Sequence, residues 1–293
     1  MSLGRPPMRR SWPTRSRRPD PAIAREYEVT DDLMLDADGA VPLLWWSYRP
    51  NYGDLLSPWL FEMMTGHPVA EADTTQPHYA AIGSIANMLT ETSVVWGSGS
   101  FGDESLHKLT QAADFRAVRG PLTRRRFIYR QAEVPAVYGD PALLLPLYYS
   151  PRVKRTHEVG LILRWSEWGR KRVRVGPGVR VIDMGRDDLE EVTREILSCK
   201  RIVSSSLHGL IVADAYGIPN AWLASNNAGG DFKFFDYFIS VDKLRREQNV
   251  DLLTKDTVEA AQILKALEFD ARPIRFDPRA LLDVCPFLTR VGR

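Results

Sequence analysis

Short apolar runs along the chain alternate with stretches whose apolar positions recur every three or four residues, which is the pattern of strands and helices in turn. Leu43 to Trp46 predicts a first strand, followed by the polar turn Asn51-Tyr52-Gly53-Asp54. Ser57 reads as a helix N-cap, Pro58 as the first helical residue and Gly66 as the stop. Ala80 to Ile82, Val94 to Trp96 and Phe115 to Val118 predict further strands, and Pro121 to Tyr129 a helix. A second series opens with strands at Glu158 to Arg164 and Arg180 to Met184, then a helix from Leu189 to Cys199. Asp256 to Leu267 predicts a C-terminal helix with an acidic first turn. Such alternation builds βα units on mainly parallel sheets. Between the two series, Pro141 to Arg152 is bracketed by prolines and reads as a connector. The expected fold is therefore α/β with two Rossmann-like domains. A disordered basic, proline-rich tail covers residues 1–30, an N-terminal domain 31–150 and a C-terminal domain 151–293.

The most informative stretch is Arg201 to Leu223, R-I-V-S-S-S-L-H-G-L-I-V-A-D-A-Y-G-I-P-N-A-W-L. It predicts a strand ending near Val203, hydroxyls at Ser204 to Ser206 that can cap free N–H groups, a helix from Leu207, and a stop at Gly217 and Pro219. His208 then falls in a helix first turn at the carboxyl end of a parallel strand, where unpaired N–H groups and the helix dipole favour an anion. A core histidine is the competing reading, since His208, Ile211, Val212 and Ala215 share a helical face.

Other candidates follow from the same placement. Arg119 ends a strand ahead of Pro121, and Arg164 ends the strand V-G-L-I-L, so both guanidinium groups are positioned to clamp an anion. The neighbours Arg124, Arg125 and Arg126 read as surface residues. Trp165 and Trp168 offer a stacking surface or an interface core, with Glu167 between them. Asp54 and Asp140 each follow a glycine, and either carboxylate serves as a general base or as an ordinary turn residue, Asp140 leaning to the latter. Lys233 follows the glycine-bearing loop Asn226 to Asp231 and points at phosphate if that loop closes. Gly97 to Gly102, G-S-G-S-F-G, matches a dinucleotide fingerprint, but no acidic residue ends a strand about 20 positions on, so it reads as a structural turn.

Composition narrows the class. The chain has 293 residues, 44% hydrophobic, and a net charge of +2, enough core for two domains and too little basic excess for a nucleic-acid binder. Cys199 and Cys285 lack metal-ligand or paired spacing and read as free thiols in a reducing compartment. The N-terminal arginines and prolines read as a remnant of cloning or start-site choice, or as a weak electrostatic tether to anionic lipid. No apolar run is long enough to span a bilayer, so a cytoplasmic location is expected.

Five motifs in order, N-Y-G-D at Asn51, W-G-S-G-S at Trp96, V-R-G-P-L-T at Val118, Y-G-D-P-A at Tyr138 and the His208 segment, resemble the polysaccharide pyruvyl transferase family, in particular its exopolysaccharide ketal-forming, succinoglycan biosynthesis ketolase-like branch. The resemblance runs from about Leu43 to about Phe287. It implies a GT-B-like arrangement with the active site between the domains, phosphoenolpyruvate as donor, a saccharide diol as acceptor and a pyruvate ketal as product. It implies no metal or organic cofactor, and a lipid-linked acceptor at the inner face of the membrane. Catalytic work is expected of His208 and Asp54, and substrate contacts from Asn51, Arg119, Arg164, Trp165, Ser205, Ser206 and Lys233. Many relatives carry arginine where this chain has Ser206. Two other readings stay open, a GT-B glycosyltransferase using a nucleotide sugar and a non-catalytic carbohydrate-binding relative.

Overall fold

A computed structural model describes residues 20–164, 167, 174–225, 230–249 and 257–291. Two parallel sheets organise them. The first has the order β3(Val69–Glu71), β2(Val41–Leu44), β4(His78–Ala80), β5(Ser93–Trp96), β6(Asp114–Ala117), and every pair in it is parallel. The second has the order β10(Asn220–Trp222), β9(Ile202–Ser204), β7(Val159–Leu163), β8(Val179–Asp183), again parallel throughout. Burial explains composition in the central strand β7, which is buried along its whole length and reads V-G-L-I-L, a continuous apolar run rather than an alternating one.

Helices fill the connections: α1(Tyr52–Thr65), α2(Pro121–Tyr129), α3(Leu145–Tyr148), α4(Leu189–Leu197), α5(Leu207–Ala215), α6(Phe232–Ser240), α7(Ala260–Ala266) and α8(Pro278–Leu282). Helix α1 starts six residues earlier than the sequence suggests. Asn51 caps it, its side chain accepting from Gly53 N, while Pro58 lies inside the helix and leaves the Asp54 carbonyl without its usual donor. Ser57 is no cap; its hydroxyl accepts from Ile82 N at 3.2 Å and holds the loop after β4.

Three further expectations change. Residues 20–30 are not tail: a 3₁₀ turn at Pro21–Glu26 leads into β1(Tyr27–Val29), which pairs antiparallel with β11(Leu288–Arg290). Burial of Ile23 and Tyr27, and ion pairs from Glu26 to Arg279 and Arg290, supply the order. The tail proper, residues 1–19, lies outside the described residues. Pro141 to Arg152 is not a bare connector, because Pro141–Leu144 form a 3₁₀ turn running into α3, and Ala142 to Leu145 have no exposed surface. Nor does the chain divide cleanly at residue 150. Phe287 packs on Phe61, Tyr79 and Trp96, and Trp96 Nε1 donates to Leu281 O at 2.9 Å, so the last segment returns to the first sheet.

The two sheets share one apolar core cluster, running from Val41 and Leu43 through Leu143 to Leu210 and Phe238. Polar contacts add direction to it. Tyr52 donates its N–H to Met184 O at 2.7 Å, and its hydroxyl meets Thr193 Oγ1 at 2.8 Å. On the other flank α6 docks on α2 through Asp236. No described helix is long and apolar enough to cross a membrane.

Candidate active site

The carboxyl ends of strands from both sheets supply the residues that meet here. Asp54 follows β2 and lies in the first turn of α1; His208 follows β9 and lies in the first turn of α5. The two turns touch: a Cβ built on Gly53 would stand 2.1 Å from His208 Nδ1. Only glycine lets the imidazole lie against α1, so the N-Y-G-D motif and the histidine segment form one unit.

Asn51 fixes the acid beside it. Its side-chain oxygen takes Gly53 N–H and its Nδ2 donates to Asp54 Oδ2 at 2.6 Å. Burial pushes the Asp54 carboxyl up to about 6, with the Asp140 charge adding to the rise and His208, Lys233 and the Asn51 bond opposing it. Such a carboxyl changes charge near neutrality, which suits proton transfer.

Lys233, at the start of α6, is half-buried between the rings of Phe101 and Phe234, with Nζ 5.1 and 5.5 Å from their centroids. It has no hydrogen bond or ion pair among the described residues. Burial brings its ammonium down to about 8, helped by the charges of Arg119 and Arg164 and opposed by Asp54.

Arg119 is placed differently from a clamp. It has no exposed surface; its Nε donates to Asp236 Oδ2 at 3.2 Å, Nη1 to Ser84 Oγ at 2.8 Å and Nη2 to Ser100 O at 2.8 Å. A Cβ at Gly99 would stand 2.1 Å from its Cζ, so the central glycine of G-S-G-S-F-G makes room for the guanidinium. Asp236 in turn accepts from Leu122 N, Thr123 N and Thr123 Oγ1, capping α2, whose own N-cap position, Gly120, has no side chain to do so. Sequence reasoning missed Asp236, because its partners lie 113 to 117 residues away. Arg126 is also no simple surface residue, since it donates to Gly102 O and Glu104 O.

Ser205 is buried and engaged: it donates to Glu167 Oε2 at 2.6 Å and accepts from Arg164 N at 3.1 Å. Glu167, held also by Ser225 at 2.8 Å, is buried, and both of its oxygens are engaged by serine hydroxyls. Ser206 occupies the N-cap of α5 without a side-chain bond to the helix, whereas Ser204 Oγ accepts from Ser206 N. Arg164 is half-buried after β7, with its charge acting on Lys233. Trp165 and Trp168 lie outside the described residues, as do residues 226–229 of the glycine loop. Among the described residues no cluster of His, Cys, Asp and Glu is arranged to hold a metal ion.

Asp140 is the second residue underrated by sequence. It is wholly buried; Oδ1 accepts from Ala142 N at 3.0 Å and caps the 3₁₀ turn, while Oδ2 stands 3.7 Å from His208 Nε2.

Comparison with known proteins identifies the family. Residues 74–227, which span β4 to the end of β10 and include Arg119, Asp140, Arg164 and His208, match the family described as polysaccharide pyruvyl transferase. The chain is 32% identical over 222 residues to the uncharacterized protein L143 of Acanthamoeba polyphaga mimivirus, covering 68% of this chain and 73% of that protein. It is 26% identical over 229 residues to the succinoglycan biosynthesis protein ExoV of Rhizobium meliloti (strain 1021), covering 73% of this chain and 69% of that one. With a match across more than half its length, joined to histidine and aspartate turns that meet at one point, this chain belongs to the polysaccharide pyruvyl transferase family.

Proposed function

We propose that the protein transfers pyruvate from phosphoenolpyruvate to two hydroxyls of a saccharide in exopolysaccharide synthesis, forming a ketal and releasing phosphate. The site is the cleft between two Rossmann-like halves in a GT-B-like arrangement, and the acceptor is presented on a lipid at the inner face of the membrane. The observation that carries this reading is Lys233, a half-buried ammonium with no anionic partner among the described residues, set near Arg119 and Arg164. Since Asp236 already answers Arg119, the ammonium of Lys233 is the charge that a small polyanion relieves best. The N–H groups at the start of α5 add to that attraction.

The chemistry follows from the groups present. A proton goes to the methylene carbon of the enol phosphate, one hydroxyl oxygen attacks the adjacent carbon that bears the phosphate, phosphate departs from it, and the second hydroxyl closes the ring on the same carbon. Of the two hydroxyl protons given up, one balances the new methyl group and the other leaves with phosphate, so the reaction needs no redox partner. His208 is the proton donor and neutralises phosphate charge; Asp54, ionised above about 6, takes the hydroxyl proton.

The test is thermal stabilisation by phosphoenolpyruvate against nucleoside diphosphates and nucleotide sugars, since a ligand that binds only the folded state at 100 times its Kd adds about 2.7 kcal/mol. A rise in Tm with phosphoenolpyruvate that His208→Ala abolishes is the expected result. A rise with nucleotides alone would overturn the reading in favour of glycosyl transfer.

A further inference from the structure

His208 Nε2 and Asp140 Oδ2 are both sealed from solvent, and neither has a hydrogen-bond partner among the described residues. They face one another across 3.7 Å. Two orphaned polar atoms, a donor and an acceptor, so placed in a buried setting are costly apart and favourable once closed into a bond. Asp140 cannot turn away, because its other oxygen holds Ala142 N–H at 3.0 Å. The opposite nitrogen, Nδ1, lies over Gly53, in the turn that carries Asp54.

We infer that Asp140 is the positioning residue of His208: its Oδ2 takes the Nε2 proton, fixes the ring, and leaves Nδ1 as the nitrogen that exchanges protons with substrate. The inference deepens the proposed function by assigning the working atom, and it rests on that reading only for the identity of the substrate. It also explains why aspartate stands here. A capping role alone is met equally by asparagine or serine, whereas holding Nε2–H demands an acceptor at the second oxygen position.

Asp140→Asn separates the two roles. Its amide oxygen must face Ala142 N–H to keep the cap, so its NH₂ must face Nε2, which forces the ring into the opposite tautomer with the proton on Nδ1. Where an aspartate performs this task in a serine protease triad, the same exchange costs on the order of 10⁴ in kcat. The first readout is a long-range ¹H–¹⁵N spectrum of the chain, which has five histidines, with His208 assigned from its loss in His208→Gln. The wild type should carry the proton on Nε2 and the asparagine variant on Nδ1, with Tm little changed. That result is independent of the reaction catalysed, so it survives or fails apart from the pyruvyl-transfer reading. The second readout is phosphate release from phosphoenolpyruvate with acceptor: kcat should fall at least 100-fold while stabilisation by phosphoenolpyruvate persists. An unchanged tautomer, or wild-type kcat with a lowered Tm, would overturn the inference and leave Asp140 a cap.

Discussion

Gly53 lies beneath the imidazole of His208 so closely that a single added carbon would stand 2.1 Å from Nδ1. The contact joins residues 155 positions apart, and it brings the first turns of α1 and α5 together at the ends of the two sheets. Glycine is a poor helix former, costing roughly 0.5–1 kcal/mol against alanine within a helix, so the contact outweighs propensity here.

Gly53→Ala should therefore inactivate without unfolding. The helix gains from alanine, but the methyl group must push the ring aside, and a displacement of about 1 Å at a reacting group costs on the order of 100-fold. Phosphate release should drop by about that factor while the urea midpoint moves little. Full activity in the variant would show that Nδ1 has slack the packing does not suggest.

The buried pair Arg119 and Asp236 gives a second expectation. Asp236→Ala strands an arginine with no exposed surface and uncaps α2 at once. Breaking a buried pair by removing one partner costs about 3–5 kcal/mol, and urea unfolding at neutral pH should show a loss of that size. Asp236→Asn, which keeps acceptors for Leu122 and Thr123, should lose less.

Much of this was legible in the chain. Helix α2 coincides with its expected range, and the strands that were expected lie within two residues of theirs, because their turns carry proline and glycine at fixed positions, whereas the short strands β1, β3 and β11 have no such signal. His208 is recognisable from its first-turn position after a strand, and Asp54 from the polar turn that follows one, both local properties. Arg119 stands out in the sequence as a candidate, but nothing near it announces Asp236, the partner that buries it. The helix start at Asn51 was missed because Pro58 suggested a later first turn, and a proline inside a buried helix is tolerated when tertiary packing outweighs one lost bond. Asp140 looked like a turn former because it is one; its second oxygen matters only once α5 is folded against it.

Acid stability should report the strap between the chain ends. Hydrogen bonds and charge from Arg279, then Arg290, hold Glu26 down to about 2 from an ordinary 4.5. A depressed carboxylate stabilises the fold above its unfolded value, and the contribution disappears as pH falls through the folded one. Between about pH 5 and pH 2 the Tm of the wild type should fall more steeply than that of Glu26→Gln. Parallel curves would mean that the exposed ion pairs at Glu26 contribute nothing measurable, a common result for surface pairs.

Asp54 carries the opposite sign. Burial raises its carboxyl from 3.8 to about 6, so the fold prefers the protonated form, and the stability this gives is present below the unfolded value and lost as pH rises through 6. A shift of about two units corresponds to a penalty on the order of 2–3 kcal/mol for holding the ionised acid in place at pH 8. Asp54→Asn should consequently raise Tm at pH 8 and leave it nearly unchanged at pH 4. If Asp54 is the base, the same substitution should abolish phosphate release at both, while wild-type kcat climbs with pH around 6 as the carboxylate forms. A variant more stable at pH 8 and inactive would tie the cost of the buried charge to its use; a variant no more stable there would mean that Asn51, Lys233 and His208 already offset the burial in full.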